Sequence, residues 1–187
     1  MKKDLGPYNV LYPMPVTLVG TNINGKPNFL TIAPVGILNV GKPQYISAGL
    51  SKSHATNAGI RENQSFSVCM PNEDLVVETD YVGITSAAKA DKSRVFEVFY
   101  GELKNAPMAK ECPLCMECCL HEVLDFKTHD IFIGEIVASY AEEDILTDGA
   151  VDLAKLRPMV FDMHTRRYWK VGEPIAQAWS VGKQYKR

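Results

Sequence analysis

Val16-Thr-Leu-Val-Gly-Thr21, then Asn24-Gly25, then Asn28-Phe-Leu-Thr-Ile-Ala33, is the stretch on which the fold reading turns. Two β-rich runs flank the dipeptide that most strongly signals a tight hairpin. Both central residues of a type I′ turn need positive φ, which Asn and Gly tolerate. An antiparallel pair is therefore expected at the start of the chain. Working outward, Gln44-Tyr-Ile-Ser-Ala-Gly-Leu50 reads as a third strand entered after Pro43. Ser65-Phe-Ser-Val-Cys-Met70 alternates, is stopped by Pro71, and reads as a fourth. His121–Phe126 and Ile131–Val137 are two further strand-like segments, broken at Thr128-His129-Asp130. Met159–Phe161 and Tyr168–Val171 form a late pair. Helices are few and short. Ser53–Asn63 is predicted with Ser53 as its cap and an apolar side of Ala55, Ala58 and Ile60. Glu73–Gly83 is predicted with Leu75, Val76, Thr79 and Tyr81 available for packing. A helical turn or two is expected in Asp91–Phe99 and a short helix in Asp152–Leu156 after the turn at Gly149. Many short strands with antiparallel connections favour a small, mainly β barrel with short helices packed outside it.

Composition narrows the class without choosing a function. The chain has 187 residues, 46% hydrophobic and 22% charged, with a formal net charge of -2. That length suits one domain, residues 1–187, and a chain of this size buries roughly 70% of its unfolded surface without a covalent staple. No basic excess exists to neutralise a phosphate backbone, so nucleic acid is not an expected partner. No apolar run approaches the ~18 residues of a membrane span. Met1-Lys2-Lys3 continues into Asp4-Leu5-Gly6-Pro7 without an apolar signal core, and a cytoplasmic protein is expected. The dinucleotide fingerprint G-x-G-x-x-G and the P-loop are both missing.

Chemistry concentrates in Leu50-Ser-Lys-Ser-His-Ala-Thr-Asn57, where a strand ends and a helix begins. A helix N-terminus attracts anions through its free N–H groups and dipole. Ser51, Ser53 and Thr56 add neutral donors, and Lys52 or protonated His54 adds charge. This suits a phosphate monoester; a polar loop with a capping Ser53 is the alternative. A second stretch, Glu78–Ser86 followed by Lys89 and Asp91-Lys92-Ser93, offers Thr79, Asp80, Ser86 and two lysines. Read alone, it is also a helix end and a solvated loop.

Taken in order, these pieces resemble the flavin reductase-like family, and its flavoredoxin branch in particular. The resemblance is carried by Pro13–Thr21 and Gly25–Ala33, by Ser51-x-x-His54-x-Thr56-x-x-Gly-Ile60-x-Glu-Asn63, and by Phe66–Pro71. It continues in Glu78-Thr-Asp-Tyr-x-Gly83-x-x-Ser86 with Asp91-Lys92, in Phe132–Val137 and in Tyr168. It implies a split β-barrel that binds FMN noncovalently and a homodimer with cofactor sites near the subunit interface. By the same resemblance, Phe29, Leu30, Thr31 and Ala33, with Ala48, Gly49, Leu50 and Ser51, line the flavin ring. Ser51, His54 and Thr56 surround the phosphate, and Thr79, Asp80, Ser86 and Lys92 close the site. The implied activity is an oxidoreductase that moves electrons from a reduced donor, NAD(P)H or a redox partner protein, to an acceptor. A non-enzymatic electron carrier is the rival reading. By the same resemblance, some relatives carry Arg where this chain has His54, and family members often have Asn in place of Cys69 and Gly in place of Ala87.

Four of the five cysteines crowd into Cys112-Pro-Leu-Cys115-Met-Glu-Cys118-Cys119. The spacing resembles a run of metal ligands. On a strand, however, Cys118 and Cys119 face opposite sides. Packed free thiols are the first expectation, a redox-active dithiol the second and a metal site the third. Arg166-Arg167-Tyr168-Trp169 is either a strand with a basic edge, a lid over the cofactor, or a handle for an anionic partner.

Overall fold

Asn24 and Gly25 both take positive φ, 51° and 74°, and turn the chain between two antiparallel strands as the hairpin signal predicts. The computed structural model describes residues 1–186. Its strands are β1 (Met14–Pro15), β2 (Thr17–Ile23), β3 (Lys26–Ile32), β4 (Val35–Asn39), β5 (Tyr45–Ser51), β6 (Ser65–Met70) and β7 (Val98–Phe99). They continue with β8 (Met108–Ala109), β9 (Leu114–Asp125), β10 (His129–Ala141), β11 (Leu146–Thr147), β12 (Ala150–Val151), β13 (Met159–Asp162) and β14 (Arg167–Lys170). The helices are α1 (Thr56–Asn63), α2 (Val76–Ile84) and α3 (Leu153–Leu156). The chain is thus mainly β with short helices, as expected.

One seven-stranded sheet runs β3-β2-β6-β9-β10-β5-β4, and a three-stranded sheet runs β1-β13-β14; every pairing is antiparallel. Successive residues of the central strands enter two different cores. Val19, Leu30, Phe66, Val68 and Cys118 join one cluster. Leu18, Phe29, Cys69 and Cys115 join the other. Both faces of this part of the sheet are covered.

Several local expectations are corrected. Helix α1 begins at Thr56, and Ala55 occupies the cap position with no side-chain bond; Ser53 does not cap it. Its buried residues are Thr56, Asn57, Gly59 and Ile60, not an alanine stripe, because Gly59 lets the helix approach β2 closely. A Cβ at Gly59 would lie 2.7 Å from the Asn22 carbonyl oxygen. In α2 the buried residues are Thr79 and Val82, and Tyr81 points outward. Asp91–Phe99 is not helical. There Asp91 accepts a 2.9 Å bond from the Ser93 N–H, a local turn that competes with helix. Cys115, Cys118 and Cys119 lie inside one long strand, β9, which Cys112 precedes, and the edge strand β4 carries no clear sequence signal.

Candidate functional site

Strand β3 lies between the two helices, with α2 packed on it and α1 packed on its neighbour β2. The start of α1 faces the loop after α2 across a cavity of about 340 Å³, lined by Leu30, Ser53, His54, Thr56, Ser86, Lys89 and Lys92 among others. A second cavity of about 280 Å³ adjoins it at Gly83 and Ile84. Val16, Thr31, Ala33, Asp80, Phe161, Arg166 and Tyr168 contribute to its wall. Gly83 makes the junction possible, because a Cβ there would sit 3.0 Å from Thr31 Cβ.

Lys92 sets the electrostatics of the first cavity. The side chain is 4% exposed, and its ammonium donates to the carbonyls of Phe29 (2.5 Å) and Val82 (2.9 Å). Among the described residues no carboxylate pairs with it. Burial accordingly lowers its pKa to about 8. His54 is half-buried on the same wall, and its Nδ1 has no partner. Burial, then the nearby His129 and Lys92, lower its pKa, which keeps it neutral at pH 7. The Thr56 hydroxyl accepts from Asn28 Nδ2 at 3.1 Å, leaving its own proton free to donate. Cationic and hydroxyl donors thus line one cavity.

The loop before α1 is strapped from below. Asp130, at the start of β10, binds Lys52 Nζ and Arg61 Nη2, each at 3.0 Å. Asn57 Nδ2 donates to the Ser51 carbonyl at 3.1 Å and reaches Asp130 at 3.4 Å. Lys52 also pairs with Asp125 at 2.8 Å and lines neither cavity. The expectation that Lys52 supplies charge to a phosphate is corrected: two carboxylates already occupy it.

Of the residues singled out in sequence, Leu30, His54, Thr56, Ser86 and Lys92 border the first cavity, and Thr31, Ala33 and Asp80 border the second. Phe29 and Thr79 lie one layer behind. Phe29 gives its carbonyl to Lys92, and the Thr79 carbonyl accepts from the Thr31 hydroxyl. Ser51 is half-buried and shares a 3.0 Å bond with Ser53 Oγ. Ala48, Gly49 and Leu50 are buried in β5, paired with β10, and line neither cavity. Asn28, Asn57 and Asp130 were not legible as site residues, since single Asn and Asp residues on strands and helices carry no pattern. The second cavity is closed on one side by Tyr168, whose hydroxyl donates to Asp80 Oδ1 at 2.9 Å.

The cysteines stand apart from both cavities. Cys118 enters the first core, and Cys69, Cys112 and Cys115 enter the second; Cys119 is partly exposed on the opposite face from Cys118. All five are free. Burial pushes the Cys118 thiol pKa up. Among the described residues, no three His, Cys, Asp or Glu side chains are grouped to hold a metal ion.

Comparison with known proteins adds the family. The model of the flavin reductase like domain matches residues 10–170. A flavoredoxin from Methanosarcina acetivorans is 45% identical, with 98% of each chain covered and a TM-score of 0.95. The flavoredoxin of Desulfovibrio vulgaris (Miyazaki F) is 35% identical, covering 97% of this chain and all of the other, with a TM-score of 0.89. An FMN-binding protein from Thermus thermophilus shares the fold at 21% identity, with a TM-score of 0.79 over 95% of this chain and 99% of the other.

Proposed function

Because the chain belongs to the flavin reductase-like family and has its split-barrel fold, we propose that it binds FMN noncovalently in the two adjoining cavities and serves as a redox protein. The observation that carries this reading is Lys92, a buried ammonium with no carboxylate, facing His54 and Thr56 at the start of α1 and Ser86 in the loop after α2. A buried charge is costly unless paired, and a phosphate monoester would pair it. The neighbouring cavity, walled by Val16, Ala33, Ile84 and Phe161, suits an apolar planar ring.

When bound, FMN supplies the hydride and electron chemistry; the protein supplies position, electrostatics and access. Lys92 and His54 hold the phosphate, and the Thr56 and Ser86 hydroxyls orient it. Asp130 keeps the Ser51–Asn57 loop in place. Tyr168 and Asp80 restrict water at the second cavity. The proposed activity is an oxidoreductase that takes electrons from NAD(P)H or a reduced partner protein and hands them to a second acceptor. Likeness to two flavoredoxins favours a second reading, an electron carrier between proteins. The functional unit is a homodimer, supported by large apolar side chains left exposed at Leu11, Ile37, Val40 and Ile84. Free thiols suit a cytoplasmic location. Among the described residues no helix is long and apolar enough to cross a membrane.

The test is a spectrum followed by turnover. Purified protein is expected to carry flavin that chromatographs as FMN at one per chain. Oxidation of NADH or NADPH with an artificial acceptor separates the enzyme from the carrier. Stoichiometric FAD, or no flavin uptake on reconstitution, would refute the cofactor assignment.

A further inference from the structure

The ladder between β6 and β9 fixes how close two of the buried thiols stand. The two strands pair antiparallel in unbroken register, with Cys69 directly opposite Cys115. Just before the ladder, the Gln64 carbonyl accepts from the N–H of Leu120, its opposite residue, at 2.9 Å. That pair is therefore a hydrogen-bonded one. Hydrogen-bonded and non-hydrogen-bonded pairs alternate along an antiparallel ladder, and an odd number of steps separates Gln64 from Cys69. Cys69 and Cys115 thus form a non-hydrogen-bonded pair, the closer kind, with Cα atoms about 4.5 Å apart. A disulfide spans Cα separations of about 4.4–6.8 Å. Both side chains enter the second core, and Cys112 joins them there.

One member of the pair can be approached from outside. A third cavity, of about 350 Å³, is lined by Phe99, Lys110, Cys112, Cys115, Tyr140 and Glu142 among others. It shares no lining residue with the two cavities proposed for the flavin. Cys115 borders this space, while Cys69 lies behind it, fully buried. So little of either sulfur is exposed that a small neutral oxidant fits the approach and a bulky one does not.

We propose that Cys69 and Cys115 are a dithiol–disulfide couple, oxidised by hydrogen peroxide that enters through the third cavity. The Cys115 sulfur attacks one peroxide oxygen. An S–O bond forms, the O–O bond breaks, and the departing hydroxide takes the thiol proton and leaves as water. The Cys69 sulfur then attacks the sulfenic sulfur of Cys115. The S–S bond forms, the S–O bond breaks, and the Cys69 proton leaves with the second hydroxide as another water. Two thiols give up two electrons, and one peroxide is reduced to two waters. An external dithiol reverses the bridge by exchange. Burial raises the Cys69 thiol, but the bonds it receives from Cys112 and Cys115 outweigh this and hold its pKa below the ordinary value. That suits the sulfur that closes the bridge. The couple is independent of the flavin reading, since it uses neither flavin cavity.

Thiol counting and peptide mapping of the full chain test it. One equivalent of hydrogen peroxide is expected to remove two of the five thiols, and dithiothreitol is expected to restore them. Trypsin places Cys69 in residues 62–89 and Cys115 in residues 111–127, so the bridge is expected to link these two peptides. Fragmentation of the linked pair is expected to assign it to Cys115. Cys69→Ala and Cys115→Ala are each expected to abolish the reversible loss of two thiols, while Cys112→Ala retains it. The wild-type map stands even where a core variant folds poorly. A bridge confined to residues 111–127, a bridge between chains through Cys119, or five thiols surviving the peroxide would overturn the proposal.

Discussion

His54 and Lys92 face one cavity but differ in how they answer pH. His54 is held neutral by burial and by nearby positive groups, so at pH 8 it offers a phosphate only a neutral hydrogen bond. At pH 6 a bound phosphate favours its protonated form and makes the bond charge-assisted, worth about 1.5–3 kcal/mol against about 0.5–1.5 for a neutral one. His54→Ala is therefore expected to weaken FMN about tenfold at pH 6 and only a few-fold at pH 8, measured by fluorescence quenching. Equal losses at both pH values would remove the charged role. Lys92 works at the other end. Its folded pKa, about 8, lies below the ordinary lysine value of 10.5. Without an anion, the unfolded chain binds more protons between these values, so stability rises with pH across that window. The cost of the buried ammonium is fully present below pH 8 and is relieved toward pH 10.5. The stability deficit of flavin-free wild type relative to Lys92→Met is expected to shrink over the same interval in urea titrations. FMN affinity is expected to fall as pH climbs past 8, a slope that Lys92→Met abolishes.

At the scale of elements, the position of α1 depends on an absent side chain. Gly59 brings the helix against β2, where an added Cβ would meet the Asn22 carbonyl at 2.7 Å and Thr21 Cγ2 at 2.8 Å. In an exposed helix, Gly to Ala stabilises by about 1 kcal/mol. Here overpacking reverses the sign. Gly59→Ala is expected to destabilise by about 1–3 kcal/mol in urea unfolding. It is also expected to weaken FMN, because α1 carries Thr56 and Asn57 with it. A variant more stable than wild type would show that the helix shifts freely. Glu117 has an analogous role on β9. It is fully buried, and its carboxylate accepts from the Glu102 and Leu103 N–H groups at 2.8 Å and from the Tyr140 hydroxyl at 2.6 Å. Three donors to one carboxylate offset its burial and anchor the loop that precedes β8.

Across the whole molecule, the proposed flavin site and the thiols occupy different regions. The lining residues of the two cavities proposed for the cofactor include no cysteine. Replacing Cys112, Cys115, Cys118 and Cys119 by Ser is expected to lower stability, since three of the new hydroxyls would be buried. It is expected to leave flavin content and flavin reduction within a few-fold, measured on folded protein by stopped flow. A hundredfold loss, about 2.7 kcal/mol in barrier, would give the cluster a catalytic part. Cys115 is buried in the second core, and of the five cysteines only Cys119 reaches the surface.

Asn24-Gly25, the strand runs around it and the Ser51–Thr56 segment were readable because each carries its cause locally: turn chemistry, β-branching, and donors at a helix start. Local sequence therefore determined the hairpin, most strands and the two loops that meet at the first cavity. It did not determine that α1 starts three residues after Ser53, since helix onset here follows the packing of Gly59 on β2. Nor did it show that Lys52 is spent on Asp125 and Asp130 while Lys92 is left without a carboxylate. Both lysines look alike as residues in polar loops. Which one is free for an anion depends on the strand and helix that close over it, a matter of position among residues 63 and 73 apart in the chain, and only the tertiary structure decided it.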